Sequence, residues 1–146
     1  MGKLAQRLRD PVKSGVYRVT DAHVPREAAR EAGLALLEIP LEGLADKDAL
    51  LRQFAVSCAF PDWFGGNWDA LEDCLTDLAW VGAPGYVLLL HGADALMALR
   101  DDDCGVLVDV LSACAASWRE RGVPFFAVCA DPGGALVLPP LYDESQ

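Results

Sequence analysis

Two rhythms of apolar residues run along this chain. Val16 to Val19, Leu34 to Leu41, Tyr86 to Leu90 and Phe125 to Ala130 run apolar without the alternation of a half-solvated strand, so they read as strands buried on both faces. The segments between them recur at helical spacing. Val24 to Ala32 is rich in alanine and charge and stops at Gly33, a residue suited to the left-handed turn that ends helices. Asp46 is placed to cap a second helix, with Leu50, Leu51, Phe54 and Cys58 on one face and Pro61 beyond its end. Residues 68 to 79 form a third. A short helical piece follows around Ala93 to Arg100. A longer helix begins near Asp102, carries Leu107, Val110, Leu111, Cys114 and Trp118 in one stripe, and stops at Gly122. Its Asp101 to Asp103 lie at the positive end of the helix dipole, and Arg119 and Arg121 at the negative end.

Strands alternating with helices argue for an α/β fold whose mostly parallel sheet is joined by right-handed crossovers. No repeat or linker divides the 146 residues, so a single domain spanning 1–146 is expected. The first dozen residues and the tail from Pro139 to Gln146 are expected to be loosely held.

Charge changes the picture. The net charge is −10, but residues 1–33 carry +3 and the remainder −13. Such an acidic body is unsuited to nucleic acid or an anionic membrane and would attract a cationic partner. No stretch has the pattern of a secretory leader or the length of a membrane span, so a cytoplasmic location is expected. The five cysteines, Cys58, Cys74, Cys104, Cys114 and Cys129, sit within apolar stretches and lack zinc-ligand spacing; they read as reduced, packed thiols. No cofactor or metal is implied.

The stretch from Phe60 to Leu78 stands apart, because an aromatic- and glycine-rich loop runs straight into an acidic helix. Gly65 and Gly66 permit positive φ, and Asn67 is a favoured N-cap. On a helical projection Leu71, Cys74, Leu75 and Leu78 share one side, while Asp69, Asp73 and Asp77 share the other. Burying the apolar side pushes the carboxylates out together. Like charges four apart repel by a few tenths of a kcal/mol, so helix stability alone does not favour this row. A plain solvated helix face is the simpler account of the pattern.

Residue identity goes further. The loop Pro61-Asp62-Trp63-Phe64-Gly65-Gly66-Asn67 and the helix Trp68-Asp69-Ala70-Leu71-Glu72-Asp73-Cys74-Leu75-Thr76 together resemble the signature of the barstar family. The resemblance extends more weakly from Leu34 to Ala130. It implies a barstar-like core of three mostly parallel strands flanked by helices, residues 1–33 forming an additional strand and helix. It also implies a proteinaceous inhibitor that catalyses nothing, whose partner is a basic, secreted-type barnase-like ribonuclease. In this family carboxylates take the places of RNA phosphates. By resemblance Asp73 enters the phosphate site, Asp69 pairs with a neighbouring basic residue of the enzyme and Trp63 packs on the enzyme, while Gly65 and Asn67 shape the loop. Some positions depart from the family's pattern: Glu72 and Leu78 stand at tryptophan positions, Gly66 at an acid position, and Ser117 where a further glutamate is found. Trp80 is placed to substitute for the tryptophan missing at Leu78. Glu72 and Asp77 would turn the acidic surface toward a different target, so an immunity- or antitoxin-type binding module for a different basic toxin or nuclease is the alternative. The expected partner surface is therefore Trp63, Gly65, Asn67, Asp69, Glu72, Asp73, Asp77 and Trp80, with residues 1–33 dispensable for binding.

Two enzyme readings compete. The acid row could hold a divalent ion, although no second ligand cluster accompanies it. Cys74 could act with His91, although Cys74 falls on the apolar side of its helix.

Overall fold

The computed structural model describes residues 1–144; Ser145 and Gln146, the end of the tail expected to be loose, lie outside the described residues. Its elements in chain order are α1 (Lys3–Leu8), β1 (Gly15–Val19), α2 (His23–Ala32), β2 (Ala35–Pro40), α3 (Lys47–Ser57), α4 (Trp68–Asp77), β3 (Tyr86–His91), α5 (Ala93–Met97), α6 (Asp103–Glu120) and β4 (Phe125–Ala130). The strands form one all-parallel sheet in the order β1-β4-β3-β2. The strand of the N-terminal unit therefore joins the core sheet as a fourth member, beside β4.

Period-two alternation sends side chains to two separate cores. Val87 and Leu89 of β3 and Phe126 and Val128 of β4 meet Ala28 and Ala29 of α2 and Leu8 of α1. Leu88 and Leu90 of β3 and Phe125 and Ala127 of β4 meet α3, α4 and α6 on the opposite face. Covering on both sides is why β4 and, up to His91, β3 carry no charged residue. The outer runs differ from expectation. β1 and β2 are edge strands, half-buried over much of their length, and their outer positions accommodate Arg18 and Glu38. At the sheet's periphery the helices cover less, and a charged residue there can reach a partner.

The first residues, and the tail as far as Glu144, are anchored to the fold, where the sequence reading expected loosely held ends. In α1, Ala5 and Leu8 are buried, and the Gly2 amide donates to Glu31 Oε1 at 2.7 Å. The tail lies along the open edge of β1: the Arg18 amide donates to the Pro139 carbonyl at 2.9 Å, and the Leu141 amide donates to the Arg18 carbonyl at 3.0 Å. Glu144 accepts from the Thr20 amide and hydroxyl, and Leu141 is buried. Polar composition near a terminus does not reveal an edge strand's need for a neighbour. That need anchors the tail, while the amino-terminal end is held by α1 packing its buried Leu8 against α2. Among the described residues no helix is long and apolar enough to cross a membrane.

Candidate partner-binding site

The site begins where α3 ends. Ala59 takes a positive φ of 53° and turns the chain into the loop ahead of α4. That loop rests on an aromatic cluster: Phe60 packs on Phe64 at 4.9 Å between ring centroids and edge-on to Trp80 at 6.2 Å. Trp63 also meets Trp80 at 6.2 Å, with the rings near perpendicular, an arrangement favoured by the ring quadrupoles. The Trp80 indole donates to the Cys58 carbonyl at 2.9 Å. Trp80 is thus half-buried beneath the loop and props it from behind, while Trp63 stays 56% exposed on its outer side. Of the two glycines only Gly66 uses the left-handed region, at φ 71°. Asn67 caps α4 as expected, its side-chain oxygen accepting from the Ala70 amide at 2.8 Å.

Within α4 the two faces separate as the spacing predicts. Leu71, Cys74 and Leu75 are buried, as is Leu78, which ends the helix in the left-handed region. Asp69, Glu72, Asp73 and Asp77 are exposed. Burial of each leucine contributes roughly 1.5–3 kcal/mol, several times the repulsion within the acid row, so packing sets the helix's rotation and the carboxylates follow. Among the described residues Asp69, Glu72 and Asp73 enter no ion pair. Asp77 differs, since its carboxylate accepts from the Ala79 amide at 3.2 Å and helps close the helix.

A set of contacts not singled out in the sequence holds the far end of α4. The Trp118 indole donates to the Leu75 carbonyl at 2.7 Å, and Arg121 Nη2 donates to the Thr76 carbonyl at 2.7 Å. Arg121 stacks on the Trp118 ring at 3.6 Å and also reaches the Ser117 hydroxyl at 3.1 Å. Ser117 thus serves a neighbouring arginine. The signal available in the sequence was the i, i+3 spacing of Trp118 and Arg121; what they reach across to was not legible.

The groups needed by the enzyme readings are not assembled. Cys74 is buried, and burial first, then the neighbouring Asp73 and Asp77 charges, push its thiol up to about 11. His91 lies on the α1–α2 face of the sheet, where its Nε2 is 2.9 Å from Glu38 Oε1. Arg26 holds Glu38 through two hydrogen bonds of 3.0 and 2.7 Å. Chiefly because of that guanidinium, and further through His91, the Glu38 carboxyl is lowered to about 2 despite partial burial. Among the described residues no group of His, Cys, Asp and Glu is placed to hold a metal ion.

Two comparisons bear on this surface. The family model described as Barstar (barnase inhibitor) matches residues 34–130, a span that contains the loop, all of α4 and the Trp118–Arg121 contacts. A search of curated proteins finds no match.

Proposed function

Because the chain belongs to the barstar family, whose members are non-enzymatic inhibitors, we propose that it blocks a basic, barnase-like ribonuclease with the exposed face of α4 and the loop before it. The observation that carries this reading is the state of the acids: Asp69, Glu72 and Asp73 are exposed on one short helix and, among the described residues, enter no ion pair. A ribonuclease cleft holds arginines and lysines spaced for phosphates. Carboxylates inserted there accept charge-assisted hydrogen bonds in place of the phosphate oxygens. Asp73 enters the phosphate site, Asp69 pairs beside it, and Glu72 and Asp77 extend the acidic edge. Trp63 supplies a flat apolar contact that Trp80 steadies from below. Gly65 and Asn67 set the loop's path into the helix. A loop already propped and a helix already capped lose little conformational entropy on docking, which leaves more of the contact energy for affinity.

The test is titration of a barnase-type ribonuclease with the protein while RNA cleavage is followed. Stoichiometric loss of cleavage is expected, with an association rate that falls as salt rises, because opposite net charges steer the encounter. Undiminished cleavage at excess protein overturns the ribonuclease reading. Capture of a different basic nuclease under the same conditions would move the assignment to the alternative class of target.

A further inference from the structure

The carboxyl end of α4 presents a problem that α6 solves. A helix leaves its last four carbonyls without intrahelical donors. Here Leu78 turns the chain into the left-handed region, and the Ala79 amide, the ordinary partner of the Leu75 carbonyl, is taken by the Asp77 side chain instead. Both the Leu75 and the Thr76 carbonyls are then satisfied from α6 and the turn after it, by Trp118 and Arg121. One turn earlier the Cys114 thiol faces the Glu72 carbonyl at 3.9 Å. Cys114, Trp118 and Arg121 are spaced four and three apart, so one stripe of α6 runs along the backbone of the helix that displays the acids. Arg121, although exposed, is tied at several points: its stack on the Trp118 ring, its bond to Thr76 and its bonds to the Ser117 carbonyl and hydroxyl use both the plane and the fork of the guanidinium.

We propose that Arg121, seated on Trp118, is a positioning residue for partner binding: it locks the carboxyl end of α4 so that Asp69 and Asp73 meet the partner's cations already in register. The inference rests on the reading of α4 as the partner-binding helix. It has a signature that mere surface charge lacks. Arg121 is a cation beside an acidic surface, so removing it should speed encounter with a basic enzyme. Loosening α4 should speed departure. The two rates therefore both rise in Arg121→Ala, the dissociation rate by roughly tenfold, as for loss of a charge-assisted hydrogen bond. Arg121→Lys keeps the charge but neither the stack nor the fork. It should leave the association rate unchanged and still dissociate faster.

The experiment is stopped-flow and dissociation kinetics of the full chain against a barnase-type ribonuclease, with Asp73→Ala measured alongside. Amide hydrogen exchange of the free protein at Leu78, Val81 and Gly82, the donors that close the end of α4, is read in parallel. Faster exchange and faster dissociation in Arg121→Ala, neither restored by lysine, is the expected result. Unchanged dissociation in a complex that Asp73→Ala weakens overturns the proposal, and so does full restoration by lysine. If Asp73→Ala itself has no effect, the ribonuclease reading is what fails; unchanged exchange would then show that Arg121 does not hold the helix either.

Discussion

The two faces of the sheet treat charge in opposite ways. On the α1–α2 side, Arg26, Glu38 and His91 form a chain of hydrogen bonds at the carboxyl end of the strands. Nearby, Arg30 pairs with Glu27, and Glu31 accepts from the amino-terminal segment. On the α4 side Asp69, Glu72 and Asp73 are exposed and, among the described residues, enter no ion pair. Paired charges serve the fold's own geometry. On α4 only Asp69, in the first turn, is favoured by the helix dipole; the other exposed acids add like-charge repulsion, and on the proposed reading they serve a cationic surface outside the molecule. Composition alone misses this contrast, because it depends on which acids have found a partner.

The comparison is broken most severely by removing one face. Deleting residues 1–33 strips β1 from β4 and uncovers Val87, Leu89, Phe126 and Val128. It also removes Ser14, whose hydroxyl accepts from the Phe125 amide and whose carbonyl accepts from Arg119. Exposing four large apolar side chains costs on the order of 1.5–3 kcal/mol each, comparable in sum with the whole stability of a domain. The truncated chain should lose its cooperative unfolding transition by circular dichroism. The sequence reading has the N-terminal unit dispensable for binding though not necessarily for stability, and on this expectation it is stability that the deletion removes. A cooperative transition in the truncated chain would show that the α1–α2 face is an addition and not half of the core.

The α4 face is probed next by Asp73→Ala, with Asp77→Ala beside it. Loss of Asp73 should weaken ribonuclease binding by ~2–5 kcal/mol, because enzyme cations are left buried without a partner, while folding stability changes by less than about 0.5 kcal/mol. Asp77 closes the end of the helix and should affect binding much less. Titration calorimetry distinguishes the two, and equal small losses would return the acid row to a solvated helix face. Asn67→Ala removes the cap of α4 and should lower stability by ~1 kcal/mol in urea unfolding.

The smallest effect sharpens the other side of the contrast. Glu38 titrates at about 2, below its ordinary value of 4.5, so its pairing stabilises the fold fully above that ordinary value. The contribution is lost as pH falls through about 2, when the carboxyl protonates in the folded state too. Glu38→Gln should therefore be less stable than the parent at pH 6, with the gap closing as pH falls from 4.5 toward 2. A gap constant across that range would mean that the pairing is not what lowers the Glu38 carboxyl.

Much of this was legible one residue at a time. Unbroken apolar runs marked β3 and β4, because a strand covered on both faces has no position for a polar side chain. Helical spacing placed Leu71, Cys74, Leu75 and Leu78 inward and the acids outward, because one rotation of the helix satisfies both. Asn67 announced the start of α4 through local chemistry that needs no distant partner.

Other features depended on residues far apart in sequence. That β1 joins the sheet, and that the tail from Pro139 anchors its free edge, follows from backbone donors and acceptors with no sequence signature of their own. Trp80 and Trp63 resemble each other as letters, yet one props the loop and the other faces outward, since only the tertiary structure sets the Cys58 carbonyl against one indole. In the same way, Arg121 read as a helix-end cation until the fold brought the Thr76 carbonyl to it. The sequence by itself determined which face of each element is apolar, a matter of local periodicity. Which polar groups are satisfied and which are left for a partner was decided by the tertiary structure, because hydrogen-bond satisfaction belongs to pairs of groups the chain must first bring together.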